Sequence, residues 1–252
     1  MREKVLLVGE MNTSKTWSIV NLAILYPDKK VVVFDPDDGI EKLVVEIIGP
    51  TGLPNLEVIP LTSDWERTVA EFKRVDATLR QGDWLCFDMI NRLWDFSQEY
   101  YSQAVFGESP IQHLLTLKRE AQKSAFGGFD GLTDWAIIKR MHNAEIVDKA
   151  VIHPSYPYNV MATTGLRVIL PVEKTPAEGT IESVFGKVFS FKPEGEKHNV
   201  HRFDGLFYLY RKGDNSYWFR IIRDRGRFVD MHQEYKITTS FWGTYKEMRG
   251  IG

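Results

Sequence analysis

Short apolar segments separated by helical ones constrain this chain more than any other feature. Val5-Leu6-Leu7-Val8, Val31-Val32-Val33-Phe34 and Trp84-Leu85-Cys86-Phe87 have no polar face, and a further strand is expected at Leu56 to Ile59. Runs this short are strands rather than helices, and strands without a polar face must be covered on both sides. Between them lie helical stretches. One runs from Lys15 to Leu25 and is stopped by Tyr26-Pro27-Asp28; another runs from Ser63 to about Arg80, before the Gly82-Asp83 break. Ser63-Asp64-Trp65-Glu66 has the spacing of a capping box with Ser63 as the cap. This alternation predicts an α/β fold with a mostly parallel central sheet flanked by helices.

The second half changes character. Helices are expected over Asn91 to Ala104, Ile111 to Lys123 and Asp134 to Ala150, with a break at Gly127 to Gly131 and a strand over Tyr158 to Thr163. After Gly165 the pattern becomes strand-rich. Val188 to Phe191, Phe203 to Tyr210 and Trp218 to Ile222 are strands, with Arg211 to Asn215 as a hairpin turn. This predicts an antiparallel extension of the sheet. One domain is expected over residues 1–230, followed by a tail, 231–252, in which Tyr245 to Arg249 is a frayed end or a subunit contact.

Composition narrows the class. Mean hydropathy is negative, and no apolar run approaches the ~20 residues of a spanning helix, so no membrane partner is expected. The opening Met1-Arg2-Glu3-Lys4 does not resemble a secretory leader. Cys86 is the single cysteine, which excludes an intrachain disulfide and fits a reducing cytoplasm, the host's if the chain is viral. The net charge of −2 hides an asymmetry. Residues 1–185 carry 19 basic and 26 acidic side chains, a net of −7, whereas residues 186–252 carry 13 and 8, a net of +5. A local basic surface can therefore meet an anion or a neighbouring subunit, or simply face solvent.

The chemistry begins directly after the first strand. Gly9-Glu10-Met11-Asn12-Thr13-Ser14-Lys15-Thr16 follows the phosphate-loop pattern Gly-x4-Gly-Lys-Ser/Thr, with Ser14 in place of the second glycine. Strand, loop and helix is the context that pattern requires. Backbone amides and the helix start would face phosphates, Lys15 would contact the β- and γ-phosphates, and the Thr16 hydroxyl would ligate Mg²⁺. The apolar strand Trp84 to Phe87 ends in Asp88, a carboxylate suited to holding Mg²⁺ at the carboxyl edge of a parallel sheet. Between these, Asp35-Pro36-Asp37-Asp38-Gly39 closes the second strand. It is either a polar turn or a source of the carboxylate that activates water.

In this order the motifs resemble those of the RecA-like P-loop ATPases, most of all the compact phage and prokaryotic ATP-binding proteins related to single-strand-annealing recombination ATPases. The resemblance runs from Val5 to Arg227. It implies an ATP-binding, Mg²⁺-dependent hydrolase that acts as a homo-oligomer in DNA recombination, annealing or repair. In that group the second strand typically ends Asp-x-Glu-Gly with Glu as the base; the matching residue is Asp37, and Asp38 could substitute. Asn159 to Thr164 matches the strand that ends in a γ-phosphate sensor, placing Thr163 or Thr164 in that role. Leu166 to Gly179, with Arg167 and Lys174, occupies the place of a DNA-facing loop, so single-stranded DNA is an implied partner. Arg223 and Arg225 match the Lys-x-Arg that helicase relatives supply in trans to a neighbour's ATP.

Other constellations carry less. His198 and His201 lack the further ligands of a zinc set. Cys86 reads as a small core residue, and Trp94, Tyr100 and Tyr101 as core or subunit interface. Lys118, Arg119, Lys123 and Arg140 form a basic helical face, solvated or facing single-stranded DNA. Three other functions share a P-loop: a non-catalytic nucleotide-binding assembly protein, a DNA-packaging motor and a small-molecule kinase. The last is disfavoured by the lack of an Arg-rich lid segment.

Overall fold

A computed structural model describes residues 2–120, 133–153, 157–168, 191–225 and 232–250. Its centre is an eight-stranded sheet of order β10-β9-β8-β1-β5-β4-β2-β3. These strands are β1 (Lys4–Gly9), β2 (Val31–Asp35), β3 (Leu56–Pro60), β4 (Trp84–Phe87), β5 (Asn159–Thr164), β8 (Gly205–Arg211), β9 (Tyr217–Asp224) and β10 (Glu234–Lys236). From β8 across to β3 every pairing is parallel, whereas β9 and β10 add antiparallel strands at one edge. The expected α/β sheet with its antiparallel extension is therefore present. Short β6 (Leu166–Val168) and β7 (Phe191–Pro193) form a separate antiparallel pair. The strand expected over Val188 to Phe191 begins at Phe191 among the described residues. Residues 121–132, 154–156, 169–190 and 226–231 lie outside them, and with them Lys123, the Gly127 to Gly131 break, Lys174 and Arg227.

Alternation along the strands divides the interior in two. In β1, Leu6 and Val8 face one core and Val5 and Leu7 the other. The first core is closed by α3 (Trp65–Asp76), α4 (Ile90–Phe106) and the segment after α6 (Thr133–His142). That segment, α7 (Asn143–Ile152), winds as a π-helix, and His153 N–H donates to Asp148 C=O at 3.0 Å. The second core is closed by α1 (Lys15–Leu25), α2 (Gly39–Ile47) and α9 (Phe241–Arg249). Cys86 is fully buried in this second core, as expected. Helices α5 (Pro110–Glu120) and α8 (Asn199–Arg202) are also among the described elements.

Three local expectations differ from the structure. Helix α3 starts at Trp65, and its cap is Asp64, whose side chain accepts from Arg67 N–H at 3.0 Å; Ser63 lies one residue too early to cap it. Helix α2 is not among the expected elements, although Ile40, Leu43, Val44 and Ile47 recur at helical spacing; only Ile40 and Val44 of its nine residues are buried. The segment after 230 is part of the same fold. Strand β10 pairs with β9, and α9 buries Phe241, Trp242 and Tyr245. The Tyr245 hydroxyl donates to buried Asp224 at 2.7 Å, and Arg249 Nη1 reaches the same carboxylate at 3.0 Å. Among the described residues no helix is long and apolar enough to cross a membrane.

Candidate nucleotide site

Parallel strands bring the ends of β1, β4, β5 and β2 to one edge of the sheet. Val8 pairs with Thr164, Phe87 with Ala162 and Phe34 with Phe87. Gly9, Asp88, Thr163, Thr164 and Asp35 thus meet along one carboxyl-edge crevice.

The loop Gly9 to Ser14 is tightly wound. A Cβ at Gly9 would stand 2.4 Å from Leu209 C=O, so no side chain fits there. Asn12 and Ser14 adopt left-handed backbone, with φ of 58° and 64°. Ser14 therefore occupies the conformation that glycine favours, which explains the glycine of the general pattern. Ser14 caps α1 by its backbone: its carbonyl accepts Ser18 N–H at 3.0 Å, while its own hydroxyl is buried without a hydrogen-bond partner. Glu10 and Met11 are exposed at the loop's tip, and the Thr13 hydroxyl donates to Glu10 C=O at 2.8 Å.

Lys15 folds back across this loop. Its ammonium donates to Gly9 C=O at 2.8 Å and to Glu10 C=O at 2.5 Å. Burial lowers the Lys15 pKa, opposed by the charges of Asp88, Glu194 and Glu10. Next along α1, the Thr16 hydroxyl donates to Asp88 Oδ2 at 2.8 Å. Thr163 donates to the other oxygen of Asp88 at 2.6 Å and accepts Met89 N–H at 2.7 Å. Burial raises the Asp88 pKa against these two hydroxyl bonds, and nearby Asp35 adds to the rise. A hydroxyl and a carboxylate joined in this way form a hard oxygen donor set suited to Mg²⁺. No group of three or more His, Cys, Asp or Glu side chains among the described residues is arranged to hold a metal.

The remaining expected residues separate. Asp35 is buried, and its oxygens accept Asp37 N–H at 3.1 Å and Ile40 N–H at 2.8 Å, so it shapes the turn. Asp37 and Asp38 are exposed on that turn, with Asp38 at φ 54°. A Cβ on Gly39 would lie 4.0 Å from the Thr16 methyl, which sets the turn beside the start of α1. Thr163 is engaged by Asp88, whereas the Thr164 hydroxyl donates to Glu194 C=O at 3.1 Å.

Arg223 and Arg225 are not brought to this edge within the chain. Gly205 pairs with both Val5 and Asp224, so the end of β9 lies at the amino edge, opposite Gly9. Arg223 turns inward and donates to the carbonyls of Val200 and Phe203, and burial lowers its pKa to about 10. Arg225 is exposed, 3.9 Å from Asp204.

Two residues of the crevice were missed. Asn91 lies on the first turn of α4, just after the strand end that carries Asp88. Its amide donates to Glu194 Oε2 at 3.2 Å. Nothing in the local sequence marks Glu194, which arrives through the return of β7. The sizeable cleft between α4 and α5, about 470 Å³, lies elsewhere. Among the described residues its lining includes the carboxylates Asp95 and Glu99 and no basic side chain, which does not suit a phosphate. No protein-family model matches this chain, and no curated protein matches it.

Proposed function

We propose that this chain is a RecA-like P-loop ATPase that binds MgATP at the carboxyl edge of its sheet and hydrolyses it. The observation that carries this reading is the Thr16–Asp88 hydrogen bond at 2.8 Å, made beside a lysine-bearing loop that leads from strand to helix. A generic strand-to-helix connection has no need to join these two groups, 72 positions apart.

In this reading the backbone of Gly9, Glu10, Met11, Asn12, Thr13 and Ser14 cradles the phosphates, together with Lys15 and Thr16. Lys15 leaves the Gly9 and Glu10 carbonyls for the β- and γ-phosphates. Thr16 and Asp88 would hold Mg²⁺, which neutralises charge developing on the phosphates. Asp37, exposed beside the start of α1, is the residue proposed to orient the attacking water, with Asp38 as its substitute. Thr164, with its hydroxyl at the end of β5, senses the γ-phosphate.

The amino-edge position of Arg225 suits a contact in trans, so the active form is a homo-oligomer. Arg223 would support it from within. Work on DNA in recombination, annealing or repair, with single-stranded DNA as partner, rests on the order of motifs alone. MgATP hydrolysis measured across protein concentration, with and without single-stranded DNA, tests this function. Absence of nucleotide binding at millimolar MgATP, or unchanged binding in Lys15→Ala, would sink it.

A second reading is nucleotide binding without turnover. It is favoured by Ser14 at φ 64° and by Lys15 seated on the loop's own carbonyls. Phosphate release over many turnovers excludes it.

A further inference from the structure

Glu194 is the least expected charge in the crevice and is pinned from several sides. Its N–H donates to Gly165 C=O at 3.0 Å, and its carbonyl accepts the Thr164 hydroxyl at 3.1 Å. Its carboxylate accepts from Asn91 and lies over Gly165, where a Cβ would stand 2.4 Å from Oε2. The following residues fix the peptide further. Gly195 is left-handed at φ 92°, and a Cβ there would stand 3.0 Å from Asn91 Cα. Glu196 is buried and paired with Arg202 at 3.0 Å.

The position of this charge matters. Gly165 is the first residue past β5, and β5 lies between β1, which leads into the loop, and β4, which leads into Asp88. The Lys15 ammonium is bonded to the loop carbonyls, and the charges of Asp88, Glu194 and Glu10 act on it through space. Glu194 itself is pushed towards the protonated form by burial and by Asp95, and drawn back by Lys15 and Arg167.

We propose that Glu194 sets the preference of this site between nucleoside diphosphate and triphosphate, by opposing a terminal phosphate that approaches Lys15 from the β5 side. The proposal rests on the reading of the crevice as a nucleotide site. A diphosphate ends at the phosphate held by the loop amides and Lys15. A third phosphate adds negative charge between Lys15 and Asp88, where the tethered Glu194 carboxylate cannot swing away without losing its Asn91 bond. Like charges held close in a partly desolvated crevice repel strongly. The tethers make Glu194 a fixed specificity determinant, and its neutral isostere should remove the repulsion while keeping the amide-compatible shape.

Isothermal titration of MgADP and of the Mg²⁺ complex of the β,γ-imido analogue of ATP tests this on the whole chain. Glu194→Gln should bind the triphosphate analogue about tenfold more tightly, with MgADP nearly unchanged; tenfold corresponds to about 1.4 kcal/mol. Glu194→Asp, which keeps the charge but retracts it by one methylene, should shift the ratio the same way by less, and it supplies the answer if the glutamine variant does not fold. An unchanged triphosphate-to-diphosphate ratio with binding intact overturns the role of Glu194 alone. Failure of the wild-type chain to bind either nucleotide overturns the site reading and this proposal together.

Discussion

Ser14 holds a left-handed backbone that costs a side-chain-bearing residue about 1–2 kcal/mol, and its hydroxyl is buried without a partner. Ser14→Gly relieves both costs, offset in part by the greater freedom of glycine in the unfolded chain. The expected outcome is a gain of about 0.5–1 kcal/mol in urea unfolding. A loss of stability would show that the serine is not strained there. His142 makes a second argument at this scale. It is fully buried beside Trp65 and Trp94, and burial lowers its pKa to about 4. The unfolded chain therefore takes up a proton near pH 6.5 that the folded chain refuses until about pH 4. Stability from this residue is complete above pH 6.5 and falls as pH drops towards 4, by at most about 1.4 kcal/mol per pH unit. Raised carboxylates such as Asp88 and Glu194 act in the opposite sense, so the comparison must be between chains. Unfolding measured at pH 7 and pH 5 should show a smaller acid loss in His142→Phe than in the wild type; equal losses would remove His142 as the cause.

At the scale of elements, legibility followed how local each signal was. The strands β1, β2 and β4 were plain because every residue from Val5 to Val8, Val31 to Phe34 and Trp84 to Phe87 is apolar, and all are buried on both faces. Helix α3 was plain too, but its cap was displaced by one residue, since Ser63 and Asp64 are both competent caps and only backbone geometry selects between them. Asp64→Ala should cost about 1 kcal/mol and Ser63→Ala close to nothing in denaturant unfolding. The reverse ranking would restore the capping box. Helices α2 and α9 were not read. The buried apolar residues of α9 are aromatic, and their purpose emerges only where the sheet offers Phe207, Phe219 and Trp84 for contact. Trp242→Ala should destabilise the protein by about 3–5 kcal/mol, measured by urea titration. A cost below 1 kcal/mol would mean that α9 is peripheral.

For the whole molecule, the charge asymmetry acquires a direction. The groups proposed to face phosphate lie at the carboxyl edge of the sheet, and Arg223 and Arg225 at the amino edge. In the proposed function only a second copy would bring Arg225 to a nucleotide, whereas Arg223 is committed to its own chain's carbonyls. Arg225→Ala should therefore leave thermal stability nearly unchanged while lowering MgATP hydrolysis and flattening its dependence on protein concentration. Arg223→Ala should lower stability itself, because the carbonyls of Val200 and Phe203 lose their donor. Equal thermal shifts in the two variants would contradict this division of roles.

The sequence by itself determined the layered α/β class, the phosphate-loop pattern and the Asp88 position, because each depends on contiguous residues of one chemical kind. Only the tertiary structure decided that Thr163 binds Asp88 while Thr164 turns to Glu194, that Asp35 is spent on its own turn, and that Glu194 is tied to Asn91 at the end of β5. The physical reason is distance along the chain. Periodicity reports which face a residue buries, but a charge carried in by the return of β7 onto β6, and set beside the loop by the distant pairing of β1 with β5, has no local signature. Its partners exist only once the sheet has brought them together.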